Sequence, residues 1–223
     1  MAPVGRRMRE NAATASDRRV IAAFGARDLD ALADAFADDY AESIVSAAPA
    51  MITRSEMLAG LRTLFELPGA SLQIEPLATL GESLELHRTK ISAAGGPIVD
   101  YVSVVEVDFE GRLVRTEAFD VERLDDAIVR LYEHYAASSP EARSFYALTE
   151  AEATEIRIDD VLALEPDAWL VRGTVVSSER EGSTVERPHL RLGVLRDGRV
   201  TDVERFEPGD EARALARFAE LHS

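Results

Sequence analysis

The stretch EGRLVRTEAFD at 110–120 is written a second time as DGRVTDVERFE at 197–207, so that Gly111 matches Gly198 and Phe119 matches Phe206 at one offset. Each copy is a turn with glycine followed by a run of period two, the pattern of a strand leaving a hairpin. The likeness extends upstream: LATLGESLELHRTKIS at 77–92 matches VLALEPDAWLVRGTVVS at 161–177. It also extends downstream, where RLDDAIVRLYEHYA and DEARALARFAELHS share helical spacing. An ordered repeat of this length reads as a duplicated unit, a strand meander closed by a helix.

Around these copies the periodicity places four strands at 71–79, 82–92, 98–108 and 112–120, and four more at 154–164, 167–178, 186–196 and 199–206. Closing helices follow, one from Asp120 burying Leu124, Ile128, Leu131 and Tyr135, the other over 209–221. Only the first meander has helices before it. Ser16 and Asp17 are expected to cap one that buries Val20, Ile21 and Phe24 and is interrupted at Gly25. Asp28 caps a second with Leu29, Leu32 and Phe36 on one side, and residues 40–51 read as irregular. Thr53 and Glu56 have the spacing of a capping box for a third, which buries Met57, Leu58, Leu61, Leu64 and Phe65 and stops at Pro68-Gly69. The expected organisation is a mobile arm over 1–12, a first domain over 13–137, a linker over 138–153 with a short helix begun at Pro140, and a shortened repeat over 154–223. A bent sheet without a helical cover leaves one face bare. The second copy is therefore expected to pack on the first as a pseudo-dimer within the chain, and a homodimer stays open.

Of the 223 residues, 46% are hydrophobic and 30% charged, the proportions of a packed globular chain. The absence of cysteine rules out disulfides, thiolate metal sites and cysteine nucleophiles. A net charge of -16 disfavours nucleic acid and anionic membrane surfaces as partners. No apolar run has the roughly 20 residues of a membrane span, and no secretory signal follows Arg6, Arg7 and Arg9, so a cytoplasmic address is expected. Lys90 is the one lysine among 25 basic residues, which with the abundant alanine suggests a GC-rich bacterial genome or a salt-adapted protein.

In order, FGARDLDALADAFADDY, RSEMLAGLRTLFEL and the meander ending EGRLVRTEAFD resemble the NTF2-like superfamily, in particular its SnoaL-like branch. The resemblance covers about 15–136 and, as a shortened copy, 154–221. It implies an α+β fold, a curved antiparallel sheet closed by helices into a cone with a pocket. The two closing helices are extra to a simple cone and resemble tandem C-terminal modules of bacterial multidomain regulatory proteins. Enzymes of the group carry an acid or base, often Asp or His, on an early strand or on the loop after the second helix. Here that loop, AESIVSAAPAMIT, offers Glu42, Ser43 and Ser46 with neither Asp nor His.

If Glu110-Gly111 is a two-residue turn, Glu106 lies opposite Arg115 and Val104 opposite Glu117. One face then carries Val102, Val104, Glu106, Leu113, Arg115, Glu117 and Phe119. The other carries Tyr101, Ser103, Val105, Val107, Val114, Thr116 and Ala118, and is the face expected to meet the helices. In the second copy Arg191 is expected opposite Glu204, with Leu190, Leu192, Val194 and Val203 on the other face. The candidate ligand pocket is Tyr40, Tyr101, Ser103, Thr116 and Trp169. His87 is the first choice for acid–base chemistry, because imidazole titrates near neutrality, and Glu117 the second. The four histidines have no paired spacing, and no phosphate loop or dinucleotide turn is present, so no metal or cofactor is expected. Three functions remain open. One is a module that binds a hydrophobic small molecule, dimerises or regulates. The second is a cyclase or isomerase working by general acid–base catalysis on a hydrophobic metabolite. The third is protein–protein contact alone, through the charged sheet face.

Overall fold

A computed structural model describes residues 6–46, 49–95, 99–138, 155–178, 184–196 and 199–222. The short helix expected over 140–149 lies outside them. Glu10–Ala127 form one compact unit, and the described residues before Glu10 and after Ala127 form the other. Each is α+β.

The first unit opens with α1 (Ala12–Ala26) and α2 (Leu29–Ala35). The cap of α1 is Asn11 rather than Ser16 or Asp17. Its side chain accepts from the Ala13 and Thr14 N–H groups while the Thr14 hydroxyl answers, closing a capping box five residues earlier than expected. Ser16 and Asp17 thereby fall inside the helix and are buried, and Gly25 does not interrupt it. Asp28 caps α2 as expected. Phe36 belongs not to α2 but to β1 (Phe36–Val45), and β2 (Ala50–Thr53) follows, so most of the stretch read as irregular is strand. Next come α3 (Arg54–Glu66), with the expected Thr53–Glu56 capping box, then β3 (Ser71–Leu80), β4 (Leu84–Ser92), β5 (Val99–Val107) and β6 (Leu113–Asp120).

The sheet has six strands in the order β2-β1-β6-β5-β4-β3, and β1 joins it parallel to β6, with Glu42 beside Thr116. The register of β5 and β6 is the expected one at Glu106–Arg115 and Val104–Glu117. A bulge beyond Glu106 moves Leu113 off the charged face and into the helix-side core. On that side Val20, Phe24, Leu32, Leu61 and Phe65 from the three helices pack on Phe36, Tyr40, Val105 and Val107.

A 3-10 turn, Val121–Arg123, precedes α4 (Leu124–Ser138), so Asp120 does not cap that helix directly. Tyr132, not Tyr135, is its buried tyrosine, and its hydroxyl donates to the Glu165 carbonyl at 2.8 Å. The second unit continues with β7 (Glu155–Glu165), β8 (Ala168–Ser178), β9 (Thr184–Arg196), β10 (Arg199–Phe206) and α5 (Glu211–Glu220). These strands form an antiparallel meander in the order β10-β9-β8-β7. Ala214 and Phe218 of α5 close it over Leu170, Leu190, Leu192 and Phe206. Of the first twelve residues, Arg7 bonds through its N–H to the Leu162 carbonyl at 2.9 Å and Arg6 reaches Asp160 at 2.9 Å. A bulge at Thr201 shifts the second copy's register by one: Arg191 lies opposite Arg205, Glu204 opposite Leu192, and Val203 opposite Gly193. Among the described residues no helix is long and apolar enough to cross a membrane.

Candidate active site

Asn11 sets the geometry. Besides capping α1, its amide donates to the Gly81 carbonyl at 3.1 Å and the Leu84 carbonyl at 2.9 Å, in the connection between β3 and β4. This lays α1 across β4, and about a turn and a half further along Asp17 comes down on His87. Asp17 Oδ2 and His87 Nδ1 are 2.8 Å apart, with side-chain exposures of only 4% and 7%. A carboxylate accepts, so Nδ1–H donates, and Nε2 is the nitrogen left for the cavity that His87 lines.

That cavity, of about 80 Å³, lies on the helix side of the first sheet. Val20, Phe36, Leu61, Val105 and Leu113 form its apolar wall, and half-buried Met57, Leu72, Ile74 and Ile91 stand toward its outside. Into it converge Asp17, Tyr40, Glu42, His87, Thr89, Tyr101, Ser103 and Thr116. The Tyr40 hydroxyl donates to Thr116 Oγ1 at 3.1 Å. Burial pushes the Glu42 carboxyl above its ordinary range, against the pull of the Tyr40 hydroxyl and of the nearby His87. Burial and then the Glu42 charge raise the Tyr40 and Tyr101 phenols, so both stay protonated donors at physiological pH. Ser103, opposite His87 in the β4–β5 ladder, is fully buried and its hydroxyl has no hydrogen-bond partner.

Of the residues singled out from sequence, Tyr40, His87, Tyr101, Ser103 and Thr116 are thus brought to one cavity. Glu117 is not. It follows Thr116 on β6, and successive strand side chains point to opposite faces, so Glu117 turns away when Thr116 faces in. Trp169 is not either. It lies on β8 in the second unit, 2% exposed, with its ring so close to Gly193 that a Cβ there would stand 2.2 Å from it. It is a core residue of that sheet.

Sequence reasoning missed Asp17, taken as a cap, although its place with Val20 and Phe24 on the inner stripe of α1 was the available signal. It noted Glu42 but placed it in a loop. Glu85 was missed altogether. It sits two residues before His87 on the same face of β4, is 0% exposed, and neither carboxyl oxygen has a hydrogen-bond partner. Burial, and then the adjacent Asp17 carboxylate, push its carboxyl up to about 10. Asp17, Glu85 and His87 each offer a ligand atom within 4.8 Å of the others, and are the described group that could hold a divalent cation.

No family model matches the chain, and no curated protein does. Similar solved structures are of the NTF2-like and cystatin-like fold, each matching about half of this chain. They include an LEH-like epoxide hydrolase from Mycobacterium tuberculosis, at 19% identity over 57% of this chain and 97% of that one, with a TM-score of 0.40. An NTF2-like protein of unknown function from Mesorhizobium loti matches at 20% identity over 50% and 96%, TM-score 0.42. An uncharacterized cystatin fold protein from Novosphingobium aromaticivorans matches at 20% identity over 49% and 98%, TM-score 0.40.

Proposed function

We propose that the unit Glu10–Ala127 takes a small, largely apolar molecule into this cavity and moves a proton on it, with His87 as the base. The observation that carries the reading is the Asp17–His87 pair, 2.8 Å apart and buried in the wall of a mostly apolar cavity. A fold that needed only a core would fill this place with aliphatic side chains, because buried ionisable groups cost stability even when paired. Ionisable groups gathered in one apolar cleft are the arrangement in which proton transfer is found.

In this scheme His87 Nε2 takes a proton from a carbon beside a carbonyl. Asp17 holds the ring in the Nδ1–H form and stabilises the imidazolium that results. The negative charge that develops on the substrate oxygen meets hydroxyl donors on the cavity wall, among them Ser103. Binding without chemistry is the second reading, favoured by Ser103, whose buried hydroxyl any ligand with a polar end would satisfy.

The test is hydrogen–deuterium exchange at the α-carbon of a small ketone, cyclopentanone, followed by NMR in D2O. Wild-type protein is expected to accelerate exchange over buffer, and His87→Gln to lose about 10²-fold or more of that acceleration. Exchange no faster than in buffer, or equally fast in His87→Gln, contradicts the proton-transfer role. Stabilisation by the ketone without exchange leaves the binding role in place.

A further inference from the structure

The second unit carries a groove of about 430 Å³ that the first unit's chemistry does not use. Four arginines line it, Arg187 and Arg191 from β9, Arg205 from β10 and Arg213 from α5. His189 stands between the first two, and Glu207 and Asp210 are the acidic residues in its wall, with Asp210 Oδ2 3.6 Å from the Arg213 guanidinium. In a chain of net charge -16 this is a local excess of positive charge. The excess follows from the bulge at Thr201, which puts Arg205 directly opposite Arg191. Arg187, Arg205 and Arg213 are exposed, so the groove is open to solvent. The His189 Nδ1 lies 3.3 Å from the Arg187 carbonyl. Phe206 supplies an aromatic surface, with the Arg213 guanidinium 5.7 Å from its ring centre.

We infer that this groove binds a phosphorylated small molecule with an apolar or aromatic body. A carboxylate is satisfied by one or two guanidinium forks. Guanidinium groups arriving from two strands and a helix suit the several oxygens of a phosphate dianion. The groove has the size of a metabolite site. Phe206 receives the body of the ligand.

The experiment uses the full chain and phenyl phosphate as the probe, with phenol and benzoate as controls, in calorimetric titration and thermal unfolding. Phenyl phosphate is expected to bind saturably and raise Tm, phenol not to bind, and benzoate to bind at least tenfold more weakly. The double variant Arg187→Gln/Arg213→Gln changes two exposed side chains. It is expected to keep the wild-type circular dichroism spectrum and lose at least tenfold in phenyl phosphate affinity. Absence of saturable binding, equal binding of benzoate, or undiminished binding in the double variant overturns the inference. So does self-association that this double variant abolishes without any phosphate effect, since the groove would then hold an acidic surface of another copy. All these results are independent of ketone exchange in the first unit.

Discussion

At the scale of the residue, Glu85 is a carboxyl that the fold buries completely. Its carboxyl would ionise near 4.5 in the unfolded chain, whereas burial and the Asp17 carboxylate push it up to about 10 in the folded one. A group held neutral by the fold supports folding fully below its unfolded value. That support is lost progressively as pH climbs from 4.5 toward about 10. Glu85→Gln removes the titration while preserving shape. Its Tm is therefore expected to match wild type near pH 4 and to exceed it by about 3 °C or more at pH 8. A difference that stays flat with pH, or changes in the other direction, would mean that Glu85 is ionised in the folded protein or held by a cation. Trp169 offers a separate check as the sole tryptophan. Gly193→Ala would set a methyl group 2.2 Å from its ring. The expected cost is about 1–3 kcal/mol with a red-shifted tryptophan emission. Unchanged emission and stability would show that the ring has room to move.

Among the elements, α1 decides whether there is a site at all. Asn11 both caps it and ties it to the connection between β3 and β4. Asn11→Ala is accordingly expected to lower stability by about 1 kcal/mol and to slow ketone exchange by loosening the contact of Asp17 with His87. A stability loss with undisturbed exchange would show that α1 is positioned by its apolar stripe alone. The meander strands and α3 were legible in the sequence, because period two and a capping box are local signals. The first strand was not. In FADDYAESIV the adjacent Asp38 and Asp39 and the small residues hide the alternation, and the pairing of β1 beside β6 joins positions more than seventy residues apart. Without that pairing the inward direction of Glu42 cannot be read. Likewise the bulge at Thr201 turned an expected Arg191–Glu204 pair into Arg191 against Arg205, since one extra residue exchanges the faces of a strand.

For the molecule as a whole, the repeat is plain in the sequence, but what separates its copies is not. Where the first copy has His87 against Asp17, the second has Arg172, which bonds to Asp160 at 3.1 Å and Glu211 at 3.2 Å. One copy holds an imidazole against a cavity; the other holds an ion-paired guanidinium. A net charge of -16 also bears on the entire chain through self-repulsion. Raising NaCl from 10 to about 200 mM is expected to raise Tm, while a fall would mean that ion pairs outweigh the repulsion. The account stands or falls, however, on His87. Nitrogen-15 NMR of the imidazole rings tests it directly. The account predicts that His87 is protonated on Nδ1 and bare on Nε2, with a strongly downfield Nδ1 proton that disappears in Asp17→Asn. A ring protonated on Nε2, or an Nδ1 signal indifferent to Asp17→Asn, would contradict it.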